Sequence, residues 1–187
     1  MPRARAVNVK DVLPPALLKV VAQDGFEAIT VDAVARAAGV SGAAARAVVP
    51  DVYALLGLTV AWVGDQAAPV PPGGSPKDQA FERIMARIDV LQKYRTGFAP
   101  LIRGVCADPR ALVCVAGRVF SALGPGPVGP GFGQKQMVDH LLLSIIYVCV
   151  LRIWMNDESQ DLGKTMAELD HRLAQFDRLA SWCGSQF

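Results

Sequence analysis

Clustered cysteines, paired histidines and an excess of either charge are all missing from this chain. Its four cysteines (Cys106, Cys114, Cys149, Cys183) stand far apart, with no CxxC pair and no histidine group beside them. That spacing excludes a zinc motif or a disulfide framework and predicts reduced, mostly buried thiols, with no metal bound. Lys and Arg number 19 against 17 Asp and Glu, a net charge of +2, so there is no general attraction to nucleic acid and any DNA contact must come from local charge. The greasiest run, Leu141 to Met155, contains Ser144 and Arg152 and falls short of the roughly 20 residues that span a bilayer. It reads as a buried helix, and no integral membrane segment is expected. The start, "MPRARAVNVKD", lacks the apolar core and cleavage site of a secretory leader, which points to a cytoplasmic location.

Catalytic patterns are missing too. Asp139-His140 and Asp170-His171 are adjacent pairs, and neighbours on a helix point about 100° apart, so neither is a ready acid and base. The two histidines are expected at the solvent or hydrogen-bonded at a subunit contact. "GPGPVGPGFG", residues 124–133, has glycines but no preceding strand, and its prolines remove backbone donors, so it is no phosphate loop. The chain is expected not to be an enzyme and to carry no cofactor.

What is present is apolar and helical. Hydrophobic residues make up 52% of the chain against 19% charged, so much apolar surface needs a core, a partner or a greasy ligand to cover it. Pro14 and Pro15 suit a first helical turn, with Leu17, Leu18 and Val21 forming one face before Asp24-Gly25. Thr30 and Ser41 are spaced as N-caps on either side of a Gly39 stop, giving two short helices, and a fourth follows Pro50-Asp51. "APVPPGGSP", residues 68–76, breaks any regular element. Ser75, Pro76 and Asp78 then form a cap, a first-turn proline and a capping-box acid opening a long helix, on which Lys77, Arg83, Arg87 and Lys93 can lie towards water. Asp108-Pro109 repeats the signature, and two long helices, roughly 134–156 and 160–183, end the chain. Lys164, Glu168 and Arg172 are spaced for exposed ion pairs. Nothing alternates with a period of two. The prediction is an all-α fold of about nine helices, with a helix-turn-helix unit over 1–67, a linker over 68–76, and a helical ligand-binding and dimerisation bundle over 77–187.

Two stretches carry a family resemblance. "DGFEAITVDAVARAAGVSGAAARAVVPD" and "LRIWMNDESQDLGKTMAELDHRL" resemble the helix-turn-helix and a C-terminal segment of the TetR family of bacterial transcription regulators. "GVSGAAARAVVPD" and "NDESQDLGKTMAELD" also resemble the lipid-binding accessory proteins of ubiquinone biosynthesis, which keep a TetR-like fold without regulating genes. The first resemblance implies a homodimeric repressor that binds a double-stranded DNA operator and answers to a small apolar effector. The second implies an apolar cavity that holds an isoprenoid or similar lipid. The regulator is the first expectation here, and the accessory protein the alternative.

The two differ in the chemistry asked of residues 41–49. A recognition helix must offer base-bonding side chains to the major groove, with positive groups or N–H groups holding phosphates. The family pattern favours tyrosine where this chain has Ala45, an aromatic at Val48 and lysine at Val52. Candidate DNA contacts are therefore confined to Arg3, Arg5, Thr30, Arg36, Ser41, Gly42 and Arg46, with Arg46 the one long donor on the reading helix and "PRAR" a possible basic arm. The apolar pocket is expected among Phe81, Ile84, Ile88, Phe98, Val119, Phe120, Leu142, Ile146 and Trp154. Along the last helix, Leu169, Leu173 and Phe176 step at helical spacing and are expected at a two-fold, four-helix dimer contact.

Overall fold

A computed structural model describes residues 8–123, 134–159 and 161–184, of which the side chains at 134–136, 177 and 179–184 are not described. The described residues form nine α-helices, a single 3-10 turn and no strand, as expected. They are α1 (Val9–Asp24), α2 (Val31–Ala38), α3 (Gly42–Val48), α4 (Val52–Gln66), α5 (Pro76–Lys93), α6 (Arg95–Ala107), α7 (Pro109–Leu123), α8 (Gln134–Trp154) and α9 (Gly163–Gly184). The loop 124–133 and the N-terminal "PRAR" lie outside the described residues.

Local chemistry sets the helix starts. Thr30 and Ser41 accept from the N–H groups of Ala33 (3.1 Å) and Ala44 (3.2 Å). Asp51 and Asp108 do the same for α4 and α7, and Ser75 with Asp78 closes a reciprocal box at the start of α5. Each satisfies donors that a helix leaves without intrahelical partners. Gly39 stops α2 at φ 69°, a left-handed conformation that costs a side-chain-bearing residue but not glycine. The first helix departs from expectation. Asn8 caps it, so Pro14 and Pro15 fall inside it rather than in its first turn. Prolines there remove two ladder donors, yet buried neighbours Leu13, Leu17, Leu18 and Val21 hold the helix through them.

The chain divides into two compact units, Met1–Gln66 with Leu91–Val119, and Ala67–Val90 with Phe120–Phe187. The expected C-terminal bundle is thus not one block: residues 91–119 belong with the helix-turn-helix. The reason is visible in α6, which packs on α1 at Gly97 and on the 3-10 turn Phe26–Ala28 at Gly104. A Cβ at Gly97 would lie 2.6 Å from the Leu18 carbonyl oxygen, and one at Gly104 would lie 2.1 Å from the Phe26 ring. Only bare backbone fits that approach. Trp62, buried, meets Tyr94 edge-on at 5.4 Å in the same unit.

In the second unit α8 packs on α9 through the turn between them. A buried carboxylate closes that turn. Asp157 accepts from the Ser159 N–H (3.1 Å) and hydroxyl (2.5 Å) with one oxygen, and from the Thr165 N–H (2.9 Å) and hydroxyl (2.8 Å) with the other. Burial alone would push this carboxyl up, but the four donors outweigh it and hold it well below the usual carboxylate range. Asp161 accepts from the Gly163 N–H, and Leu162, buried, takes a left-handed φ of 54° to turn its side chain inwards.

Candidate functional site

The helix-turn-helix surface is built from α2, the Gly39 turn and α3. Its outward residues are Asp32, Arg36, Ser41, Ala43, Arg46 and Ala47, while Val34, Ala35 and Ala45 are buried beneath. The nominated polar groups are largely engaged within the chain. The Thr30 and Ser41 hydroxyl oxygens each accept a backbone N–H as a cap. Gly42 sits so close to α2 that a Cβ there would lie 2.8 Å from an Asp32 carboxylate oxygen. Arg46 donates to that same carboxylate, forming an ion pair across the turn with both side chains 54% exposed. A pair this exposed holds with only about 0.2–1 kcal/mol, so it can open. Its electrostatic consequence is that the positive charge of Arg46 is offset by a negative one beside it. Arg36 is exposed and makes no ion pair among the described residues. Arg3 and Arg5 lie outside them.

The nominated pocket residues are mostly interior. Ile84, Ile88, Phe98, Ile146 and Trp154 are buried, and Phe81, Val119, Phe120 and Leu142 are half-buried. Phe98 and Val119 belong to the first unit, and the other seven to the second. The first unit has a separate open crevice of about 310 Å³ that includes Phe26, Glu27, Asp51, Tyr53 and Asp108. Asp51 and Asp108 there are occupied as helix caps.

The nominated dimer residues require correction. Leu169 and Leu173 are 0% and 1% exposed within their own chain and so are intrachain core, while Phe176 is half-buried. A residue already out of water gains nothing from a partner. The bare apolar surface lies instead on α8, where Met137, Leu141, Ile145 and Val148 are 49–60% exposed and recur at helical spacing. The run read as a buried helix is therefore one-sided: Ile146, Tyr147, Val150 and Trp154 face inwards, and the opposite row does not. Met137–Trp154 is long and apolar enough to cross a membrane, with a mean hydropathy of 1.8 and 28% of the window buried. Asp139, His140 and Arg152 within it, together with its packing on α9, suit a helix covered on one side.

Three further side-chain placements differ from expectation. His140 is buried, its ring edge-on to Phe120 at 5.7 Å, rather than facing solvent. Cys106 and Cys114 are exposed, not buried. Arg83 and Arg87 do not lie freely towards water: both are half-buried and reach the end of α7, Arg83 Nη1 donating to the Leu123 carbonyl (3.4 Å) and Arg87 Nη2 to that of Ala122 (2.6 Å). Periodicity marked them as polar positions but could not say which helix end would stand opposite. Arg172 pairs with Glu168 at 2.6 Å as expected, whereas Lys164 forms no ion pair among the described residues. Among the described residues no group of three or more His, Cys, Asp or Glu is placed to hold a metal ion.

No protein-family model matches this chain, and no curated protein matches it.

Proposed function

We propose that this chain is a TetR-like helical protein whose helix-turn-helix serves as scaffold and whose second unit binds an apolar, lipid-like ligand, in the manner of an accessory protein of isoprenoid-lipid metabolism. One observation carries the shift from regulator to binding protein: the reading helix's one long donor, Arg46, is paired to Asp32, and the rest of that helix's outward face is alanine and Ser41. A major-groove reader needs donors and acceptors to spare, and methyl groups distinguish little beyond thymine. The buried apolar side chains that α5 and α8 contribute to the second unit, Ile84, Ile88, Ile146 and Trp154, support the ligand half of the reading. Native mass spectrometry of protein purified without detergent tests it: a co-purified lipid-like mass is expected. A protein that emerges empty, and whose melting temperature no apolar compound raises, contradicts it.

The second reading is a ligand-responsive DNA-binding repressor, favoured by the intact, doubly capped α2–α3 unit and the exposed Arg36. It requires that Arg46 leave Asp32 for a base. Either reading takes a homodimer, for which the bare row on α8 is the self-complementary surface, since a two-fold axis sets a row against its own copy. Light scattering at micromolar concentration should give the dimeric mass.

A further inference from the structure

Two cations of the second unit meet a carboxylate: Lys77 pairs with Asp170 at 2.7 Å, and Arg172 with Glu168 at 2.6 Å. Arg83 and Arg87 do not. They stand one turn apart on α5, half-buried, and neither makes an ion pair among the described residues. Their hydrogen-bond partners are neutral carbonyls, those of Leu123 and Ala122 at the end of α7 and, for Arg87 Nη1, that of Arg83 (3.2 Å). A helix C-terminus carries only partial negative charge, so these contacts leave both guanidinium charges largely uncompensated. Each guanidinium has five N–H donors, and most of them are unspent.

A third donor joins them from α8. Tyr147 is buried, and its hydroxyl makes no hydrogen bond among the described residues. Burial pushes its phenol up to about 12, with the Arg87 charge opposing, so it stays an O–H donor at physiological pH. Burial likewise pushes the Arg87 guanidinium down, and the neighbouring Arg83 adds to that, so an anion arriving there would relieve both. The cluster presents two positive donors and a phenol O–H, with only neutral carbonyls bonded to the guanidinium groups. Paired guanidinium groups match the geometry of carboxylate and phosphate oxygens.

We propose that Arg83, Arg87 and Tyr147 seat the oxyanion head, a carboxylate or phosphate, of the apolar ligand assigned to the second unit. The proposal rests on that assignment. The test is thermal shift and titration calorimetry on the full chain with dodecyl phosphate, dodecanoate and dodecanol, all below their micelle-forming concentrations, and with inorganic phosphate and acetate. At least one tailed acid should bind roughly tenfold more tightly than dodecanol, about 1.4 kcal/mol. Which of the two prevails separates phosphate from carboxylate. Arg87→Gln and Tyr147→Phe should each erase the margin, and Tyr147→Phe should leave the unliganded melting temperature unchanged, because its hydroxyl has no bond to lose. If Arg87→Gln fails to fold, Tyr147→Phe carries the test alone. Dodecanol binding as tightly as both acids overturns the seat while leaving an apolar ligand in place. Binding of inorganic phosphate or acetate with no gain from the tail supports the seat and overturns the apolar ligand. Binding of none of the five overturns both.

Discussion

Helices α2 and α3 meet at Gly39 with Thr30 and Ser41 capping their starts, while α8 and α9 meet across a turn closed by the buried carboxylate of Asp157. Both pairs are therefore fixed by short side-chain hydrogen bonds. They differ in what is left on the outside. On α2 and α3 the one long donor of α3, Arg46, is matched by Asp32, and the remainder of that helix's face is nearly featureless. On α8 a row of apolar side chains is uncovered, and α5 opposite carries two cations without a carboxylate. Surface chemistry that is satisfied internally holds a shape, and chemistry left unsatisfied is what a ligand or partner can use. That difference, more than the fold, directs the functional reading to the second unit.

Four substitutions probe this difference between the two helix pairs and their units, and the largest effect is expected in the first unit. Gly97→Ala would put a Cβ against the Leu18 backbone, which cannot rotate away, so it should destabilise by about 3 kcal/mol in urea unfolding. An unchanged midpoint would mean that α6 does not pack on α1 at bare backbone. Next is Leu141→Glu on the exposed α8 row, which should weaken the proposed dimer roughly a hundredfold, about 2.7 kcal/mol, while leaving the fold intact. Sedimentation equilibrium reads this, and a dimer of wild-type affinity would remove α8 from the interface.

Asp157→Ala comes third. It strips a buried carboxylate from two hydroxyls and two N–H groups and should cost about 2 kcal/mol at neutral pH. Because the folded-state pKa lies below the unfolded value, the wild-type contribution is complete above about pH 4. It fades as pH falls through the folded pKa. The difference in stability between wild type and Asp157→Ala should therefore shrink below pH 4, and a constant difference down to pH 2 would mean that the carboxylate charge is not what closes the turn. The smallest effect belongs to Arg46→Ala, whose exposed pair should be worth no more than about 0.5 kcal/mol by the same unfolding assay.

Capping was the most legible part of the sequence, because a cap is a contact across three residues: Thr30, Ser41, Ser75 with Asp78, and Asp108 were all readable without a fold. Apolar periodicity identified which face of α9 is greasy but not what covers it, and so Leu169 and Leu173, buried within their own chain, looked like a subunit contact. The same blindness to non-local partners hid the placement of Arg83 and Arg87 beside α7 and the pairing of Arg46 with Asp32, fourteen residues away. Asp157 lay within the acidic break that carried a family resemblance, yet nothing in a run of polar residues says which carboxylate turns inwards. Pro14 and Pro15 misled in the opposite sense, since tertiary packing on Leu13 and Leu17 holds a helix that propensity alone would have started later.

Selection of genomic fragments by the full chain at low salt, run in parallel with Arg46→Ala, tests most directly whether the α2–α3 surface is scaffold. No sequence should be enriched, and Arg46→Ala should behave as wild type. Recovery of a palindrome with half-sites about one helical turn apart, lost on Arg46→Ala, would contradict the scaffold role and return the protein to the DNA-binding regulators.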